Sequence, residues 1–155
     1  MGYNRQKAVE YAQKWALGAN PNFYHFEGIG GDCTNFISQC LLAGGCEMNF
    51  KYPLGWFYKS SVDRSPSWTG VAYLQQFLLR KDNSVGPRGK IVGLDEVEVG
   101  DIIQLRQNPN RFNHTVIVSK ILNNQIYVCA HSNDAKDKPL SSYNFLALMP
   151  MHIFV

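Results

Sequence analysis

Apolar residues recur at helical spacing in three stretches of the first half of the chain. Asn4 can cap the first helix, and Gly18 lies just beyond its end. Its predicted buried stripe is Ala8, Val9, Ala12, Trp15 and Ala16. The last helix of this half begins at Ser67 or Thr69. Its predicted inward residues are Val71, Leu74, Phe77 and Leu78.

The second helical stretch begins at a thiol. Asp32 is a good N-cap, so Cys33 is predicted at the first helical position, after two glycines that permit a sharp turn. The apolar face continues through Phe36, Ile37, Cys40 and Leu41. A cysteine on such a face is more often a small buried residue than a nucleophile. At a helix N-terminus, however, free N–H groups and the helix dipole favour a thiolate.

The last third of the chain is predicted to form strands. Short β-branched runs occupy residues 102–105, 114–118 and 125–130, and residues 152–155 add a further strand. The pair Asn123-Asn124 is a signal for a two-residue hairpin turn. Helices followed by an antiparallel sheet predict an α+β fold. The length of 155 residues predicts a single domain over residues 1–155.

The predicted hairpin brings polar residues together. A two-residue turn at 123–124 places His114 opposite Asn133 and Val116 opposite His131, with all four side chains on one face. A nucleophilic cysteine needs a base, and the base needs a group that orients it. The order along the chain therefore predicts Cys33 as the nucleophile, His114 as the base and His131 as the third residue. Asn133 is the alternative third residue.

Composition narrows the classes of function. The net charge of +3 comes without a dense Lys/Arg cluster, which argues against a nucleic-acid partner. No apolar run reaches the length of a membrane span, so no membrane association is expected. Four cysteines without a C-x-x-C pair predict reduced thiols and no zinc ribbon. We expect no metal and no cofactor.

The start of the chain bears on its compartment. Residues 1–5 lack the apolar core of a signal peptide. This predicts a cytoplasmic protein if the chain is complete. If it is a domain cut from a longer protein, the extracellular space or the cell wall is expected instead.

Several aromatic residues fall in a predicted loop between residues 47 and 69. Trp56, Tyr58 and Trp68 are the candidates for a binding surface in this loop. They can wall a cleft, since loops often carry binding residues, or they can seal the loop onto the core. The first alternative leaves open a non-catalytic module that binds a cell-wall peptide or another protein.

The chain resembles the bacterial putative amidase domain family, which is similar to the NlpC-type, papain-like cell-wall peptidases. The resemblance runs from Tyr3 to Val155. It is carried by Asn20-Pro21, the segment from Gly30 to Cys40, Ala43-Gly44-Gly45, Ser67-Trp68-Thr69, the segment from Val99 to Ile103, the segment from His114 to Val118, and the segment from Ala130 to Asp134. It implies a papain-like fold with Cys33, His114 and His131 at the three catalytic positions. Relatives use a tyrosine upstream of the nucleophile, and Tyr24 is the nearest candidate.

These observations predict a cysteine amidase or peptidase. Cys33 attacks an amide carbonyl while His114 takes the thiol proton or holds it in an ion pair, and the Cys33 N–H donates to the oxyanion. Asp32, Tyr24 and Trp68 are assigned to oxyanion or substrate binding. The resemblance implies a peptide or muropeptide substrate, with a peptidoglycan stem peptide as the expected one. No obligate protein partner is expected. Acyl transfer to an amine would use the same residues.

Overall fold

The computed structural model describes residues 2–155. Helix α1 spans Arg5–Trp15, and the Asn4 side chain caps it by accepting from the Lys7 N–H at 3.0 Å. Helix α2 spans Cys33–Ala43 and is buried from its first residue through Leu41. Gly44 and Gly45 end this helix, and Gly45 takes the left-handed conformation with φ of +93°. Both helices begin where the sequence predicted.

The segment between α2 and the main sheet holds two short helices and a hairpin. Helix α3 spans Pro66–Thr69 and α4 spans Val71–Leu78. Strands β1 (Tyr58–Ser60) and β2 (Asp63–Arg64) pair within the stretch predicted as a loop. Trp56 and Trp68 are fully buried, so these rings seal the segment onto the core.

Six antiparallel strands form the main sheet. They are β3 (Arg88–Ile91), β4 (Ile102–Arg106), β5 (His114–Leu122), β6 (Gln125–Ala130), β7 (Ala135–Pro139) and β8 (Ala147–Phe154). Their order across the sheet is β3-β8-β4-β5-β6-β7, so the last strand inserts beside β4. The predicted α+β class with an antiparallel sheet is confirmed. The edge strands β3 and β7 were not predicted, because their sequences carry Lys, Arg, Asp and Gly in place of a β-branched run.

Each face of the sheet covers its own core. On one face the helices pack on Ile102, Ile117 and Met151. On the other face a second cluster contains Ile103, Leu105, Val116, Val118 and Val128. Within residues 2–155, no helix is both long and apolar enough to cross a membrane.

A bulge in β5 changes the predicted register. Near the Asn123-Asn124 turn the pairing is as predicted, with Leu122 opposite Gln125 and Lys120 opposite Tyr127. Beyond Ser119 the pairing shifts by one residue, so that Ile117 lies opposite Cys129. A one-residue shift moves side chains to the other face of a strand. The predicted shared face for His114 and His131 is therefore wrong.

Candidate active site

The turn before α2 depends on two glycines in the left-handed conformation. Gly30 and Gly31 have φ of +84° and +92°, which other residues rarely adopt. A Cβ atom at Gly31 would lie 3.4 Å from the Ser132 Oγ, which accepts a hydrogen bond from the Asp32 N–H at 2.9 Å. The chain thus passes close to the β6–β7 turn and delivers Cys33 as the first residue of α2, with 8% of its surface exposed.

The Asp32 carboxylate is buried in a network beside the thiol. It occupies the N-cap position, but its side chain does not cap the helix as predicted. It accepts instead from the Phe26 N–H at 2.7 Å, the Asn35 Nδ2 at 2.8 Å and the His131 Nδ1 at 2.6 Å. Burial alone would raise the pKa of Asp32, but these hydrogen bonds hold it below its usual value. Asp32 therefore fixes the start of α2 and faces no open space.

His131 belongs to this network and does not reach His114. Its Nδ1 bonds to Asp32 and its Nε2 bonds to the Trp15 carbonyl oxygen at 2.8 Å. Both partners accept only, so both ring nitrogens carry hydrogen and the ring is an imidazolium. Burial would lower the pKa of His131, but the bonds to Asp32 and Trp15 raise it. The ring stacks on Phe36, with centroids 4.1 Å apart, on the helix side of the sheet.

His114 lies in a contrasting environment. It is the first residue of β5 and only 6% exposed, and neither ring nitrogen forms a hydrogen bond within the described chain. Burial and the nearby Lys138 charge lower the pKa of His114 to about 4. Its nearest aromatic neighbour is Tyr143, with ring centroids 6.0 Å apart. At neutral pH His114 is a neutral imidazole with a free lone pair.

Cys33 is a neutral thiol in this arrangement. Its Sγ lies 3.7 Å from the Thr34 Oγ1. Burial raises the pKa of Cys33 more than the backbone groups of Thr115 and Thr34 and the Thr34 hydroxyl lower it. No hydrogen bond joins Cys33 to His114 among residues 2–155. Burial thus raises the pKa of Cys33 and lowers that of His114, and both shifts act against the thiolate–imidazolium pair expected from the sequence.

Cys33 and His114 nevertheless line one cavity of about 410 Å³. The cavity also contains Asn133, the alternative third residue, which is exposed at the rim with φ of +66°. A second depression of about 290 Å³ shares Gly30, Gly31, Cys33 and Asn113 with the first. The sulfur thus lies where two depressions meet, as a nucleophile must to attack an extended chain that crosses it.

Two predicted binding residues lie outside these depressions. Tyr24 packs edge-on against Phe26, with centroids 4.8 Å apart, and lines neither depression. Trp68 is fully buried and donates from Nε1 to the Asn35 Oδ1 at 3.0 Å. The predicted ligand contact at Trp68 is wrong, because its ring belongs to the core. The same burial removes Trp56 from the proposed aromatic binding surface.

Three residues of the site were not predicted from the sequence. Asn35 links Trp68 to Asp32, and both Lys138 and Tyr143 line the cavity with His114. The three-residue spacing between the Asp32 carboxylate and the Asn35 amide could have indicated that Asn35 belongs to the site. Lys138 lies on β7, which was not predicted from the sequence, and Tyr143 follows that strand. No local sequence signal therefore marked either residue.

One group of residues has the composition of a metal site. His25, Asp32 and His131 each offer a ligand atom, and the three atoms lie within 4.8 Å of one another. The His25 Nε2 is 3.7 Å from the Asp32 Oδ2. A metal ion would have to replace the proton between His131 and Asp32, and that proton already satisfies both side chains. The group therefore needs no ion to be stable.

Comparison with known proteins supplies independent information. The family described as a putative amidase domain matches residues 2–154. The chain is 34% identical over 154 residues to the uncharacterized protein YhbB of Bacillus subtilis, covering 96% of this chain and 47% of that protein. It is 29% identical over 148 residues to the uncharacterized protein YjcM of the same organism, covering 89% of this chain and 33% of that protein. The chain thus spans half or less of these relatives. No solved structure matches it.

Proposed function

This chain belongs to the family of putative amidase domains, and we propose that it hydrolyses amide bonds with Cys33 as nucleophile and His114 as general base. The family indicates amide hydrolysis at a coarse level. The observation that carries the residue assignment is the cavity that Cys33 and His114 line together. A thiol and an unbonded imidazole in one solvent-connected cavity are the groups that acyl transfer requires.

The proposed reaction begins with both groups neutral. As the Cys33 sulfur bonds to the amide carbonyl carbon, the free lone pair of His114 takes the thiol proton. The imidazolium then protonates the amide nitrogen and the C–N bond breaks. The amine departs, and the acyl group remains bound to Cys33 as a thioester. Water, deprotonated by His114, attacks the thioester, and the released thiol recovers its proton. A preformed ion pair is not needed, because substrate binding brings the two groups into line.

Backbone N–H groups at the start of α2 serve as the proposed oxyanion donors. The Asp32 side chain leaves the first turn of this helix uncapped. The Cys33 N–H has no acceptor within the described chain, and in this proposal it donates to the oxygen on which charge develops. Neither Tyr24 nor Trp68 is required for this step.

Asp32 and His131 act as positioning residues in this proposal. Their hydrogen bond joins α2 to the β6–β7 turn, and the Trp15 carbonyl joins the same ring to α1. Because three elements meet at one imidazolium, the position of Cys33 is fixed before substrate arrives. Asn133 at the cavity rim remains the candidate to orient His114 once a substrate closes the site.

A peptide is the proposed substrate, and a peptidoglycan stem peptide is the first to test. Purified peptidoglycan and a panel of peptides are incubated with the wild type, Cys33→Ala and Cys46→Ala, and the fragments are identified by mass. Cys46 is the matched control because it is also a buried free cysteine but lies outside both depressions. We expect fragments that gain one water from the wild type and Cys46→Ala, and none from Cys33→Ala. Fragments from Cys33→Ala would refute the assignment, and amide products with added amines would indicate acyl transfer.

A further inference from the structure

We propose that Lys138, held over the Tyr143 ring, forms a carboxylate-binding subsite in the cavity that contains Cys33, so that the preferred substrates are peptides with an acidic side chain or free carboxyl group. The inference deepens the proposed function, since the anionic group belongs to the chain that reacts at Cys33. It is carried by a cation without an ion-pair partner in the described chain, held over an aromatic ring in the wall of one cavity.

Lys138 supplies the positive charge. Its Nζ lies 4.3 Å from the centroid of the Tyr143 ring, and both residues line the cavity that contains Cys33 and His114. A cation over an aromatic face is held in place by the ring electrons. Lys138 forms no ion pair within residues 2–155, so its ammonium group is available to a ligand.

Tyr143 positions the cation through its ring. Its hydroxyl is buried away from solvent and is the one such side-chain oxygen or nitrogen atom in the described part of the chain without a hydrogen-bond partner. Burial raises the pKa of Tyr143 to about 12, so the phenol is neutral at neutral pH and does not offset the Lys138 charge. Tyr143 therefore contributes the aromatic face that holds the ammonium group, and Lys138 contributes the ligand contact.

The remaining lining favours an anion over a cation. Besides Cys33, Tyr143 and His114, the other polar side chains of the cavity are the neutral Gln107, Asn113, Ser132, Asn133, Ser142 and Asn144. Among the described residues that line it, none is Asp or Glu. The second depression is similar, with Arg111 and no acidic residue. Lys138 therefore carries the only full charge in the cavity, and a peptide carboxylate is its natural counter-ion.

Carboxylate binding would also act on the base. Lys138 lies close enough to His114 for its charge to disfavour the imidazolium. A bound carboxylate offsets that charge, so His114 accepts the thiol proton more readily in the substrate complex. Anionic substrates would then gain in the chemical step as well as in binding.

The test uses two probes that differ by one charge. Iodoacetyl-Glu-NH₂ and iodoacetyl-Gln-NH₂ both alkylate Cys33, with loss of the thiol proton and iodide, and mass spectrometry follows labelling at this residue. We expect the wild type to react roughly 5-fold faster with the Glu probe, the upper range for a partly exposed ion pair. Lys138→Gln should bring the ratio to about 1, while Lys138→Arg should preserve it. Tyr143→Phe keeps the aromatic face beneath the ammonium group and should leave the ratio near the wild-type value.

Lys136→Gln is the matched control, because Lys136 lies exposed on the same strand outside the cavity. Its ratio should equal that of the wild type. A ratio that Lys138→Gln leaves unchanged overturns the subsite. If neither probe labels Cys33, calorimetry with Ac-Gly-Glu-NH₂ and Ac-Gly-Gln-NH₂ on Cys33→Ala decides, and equal Kd values overturn it.

The two proposals fail separately. A charge-dependent ratio without hydrolysis of any amide would preserve the subsite and refute the proposed function. Hydrolysis of peptides in the panel with equal kcat/KM for Glu and Gln peptides would support the proposed function and refute the subsite.

Discussion

Two histidines flank Cys33, and their surroundings are opposite. His131 is bonded through both nitrogens, to Asp32 and to the Trp15 carbonyl, and its pKa is raised. His114 has no hydrogen bond within the described chain, and its pKa falls to about 4. The first is charged and held in place, whereas the second is neutral and lines a cavity.

The difference separates positioning from chemistry. A histidine whose nitrogens are both engaged cannot take a proton from a thiol without breaking a buried hydrogen bond. An unbonded neutral histidine can take one at once. We therefore assign structural stability to His131 and proton transfer to His114, and each variant below tests one side of that assignment.

The largest expected effect is on turnover. His114→Gln should lower kcat/KM on the order of 10²–10⁴-fold, because it removes the base. His131→Gln keeps a donor for Asp32 and should cost far less per folded molecule. The measurement is hydrolysis of the best substrate from the panel, corrected for the folded fraction by circular dichroism. Equal losses in the two variants would restore the Cys-His-His triad predicted from the sequence.

The free energy of unfolding should be affected more by substitution of His131 than by substitution of His114. His131→Ala leaves the Asp32 carboxylate buried without its charged partner, which typically costs about 3–5 kcal/mol. His114→Asn breaks no hydrogen bond and should change the free energy of unfolding by less than about 1 kcal/mol. Urea denaturation of both variants measures the difference. If His114→Asn proved the more damaging, the assigned roles would be reversed.

The two rings should give stability opposite dependences on pH. The folded-state pKa of His114 lies below its unfolded value, so its contribution is lost as pH falls from about 6.5 to 4, by about 3 kcal/mol. His131 has a raised folded-state pKa. Its contribution is therefore full below about pH 6.5 and is lost as pH rises through that raised value.

Urea midpoints between pH 4 and 8 measure both limbs. His114→Asn should flatten the acid limb, and His131→Ala should flatten the limb above pH 6.5. Titration of Asp32 changes the stability mainly below pH 4, because the pKa of its carboxyl group is lowered from 3.8 in the folded protein. An acid limb that His114→Asn leaves intact would show that this ring does not titrate as described.

The smallest expected effect is on the free energy of unfolding when the hydroxyl group of Tyr3 or of Tyr143 is removed. Tyr3 donates from its hydroxyl to the Gly100 carbonyl at 2.7 Å, whereas the Tyr143 hydroxyl has no partner. Tyr3→Phe should lower the free energy of unfolding by about 1 kcal/mol. Tyr143→Phe should leave it unchanged or raise it slightly. A loss at Tyr143 equal to that at Tyr3 would mean that its hydroxyl is satisfied in the free protein.

Local signals explain what the sequence could predict. The Gly-Gly-Asp-Cys segment and the apolar spacing after it placed Cys33 at a helix start, and the β-branched run after His114 marked β5. Both depend on a few adjacent residues. The α+β class followed from the same patterns, whereas the catalytic roles of Cys33 and His114 stay predictions for two residues that line one cavity.

Long-range packing explains what the sequence could not predict. The bulge at Ser119 shifts the hairpin by one residue and sends His131 to the other face, and no turn residue marks it. Asp32 was predicted as a cap, yet its partners lie at Phe26, Asn35 and His131. Likewise, the burial of Cys33, which opposes the thiolate, depends on elements far away in the sequence.

The most direct test of the account is the charge of each histidine ring in the folded protein. Long-range ¹H–¹⁵N NMR of the imidazoles, assigned with the His114→Asn and His131→Gln variants, reports protonation of each nitrogen. At pH 7 we expect His131 to be an imidazolium with both nitrogens protonated, and His114 to be neutral and to titrate near pH 4. A neutral His131, or an imidazolium at His114 paired with a Cys33 thiolate, would contradict the assignment.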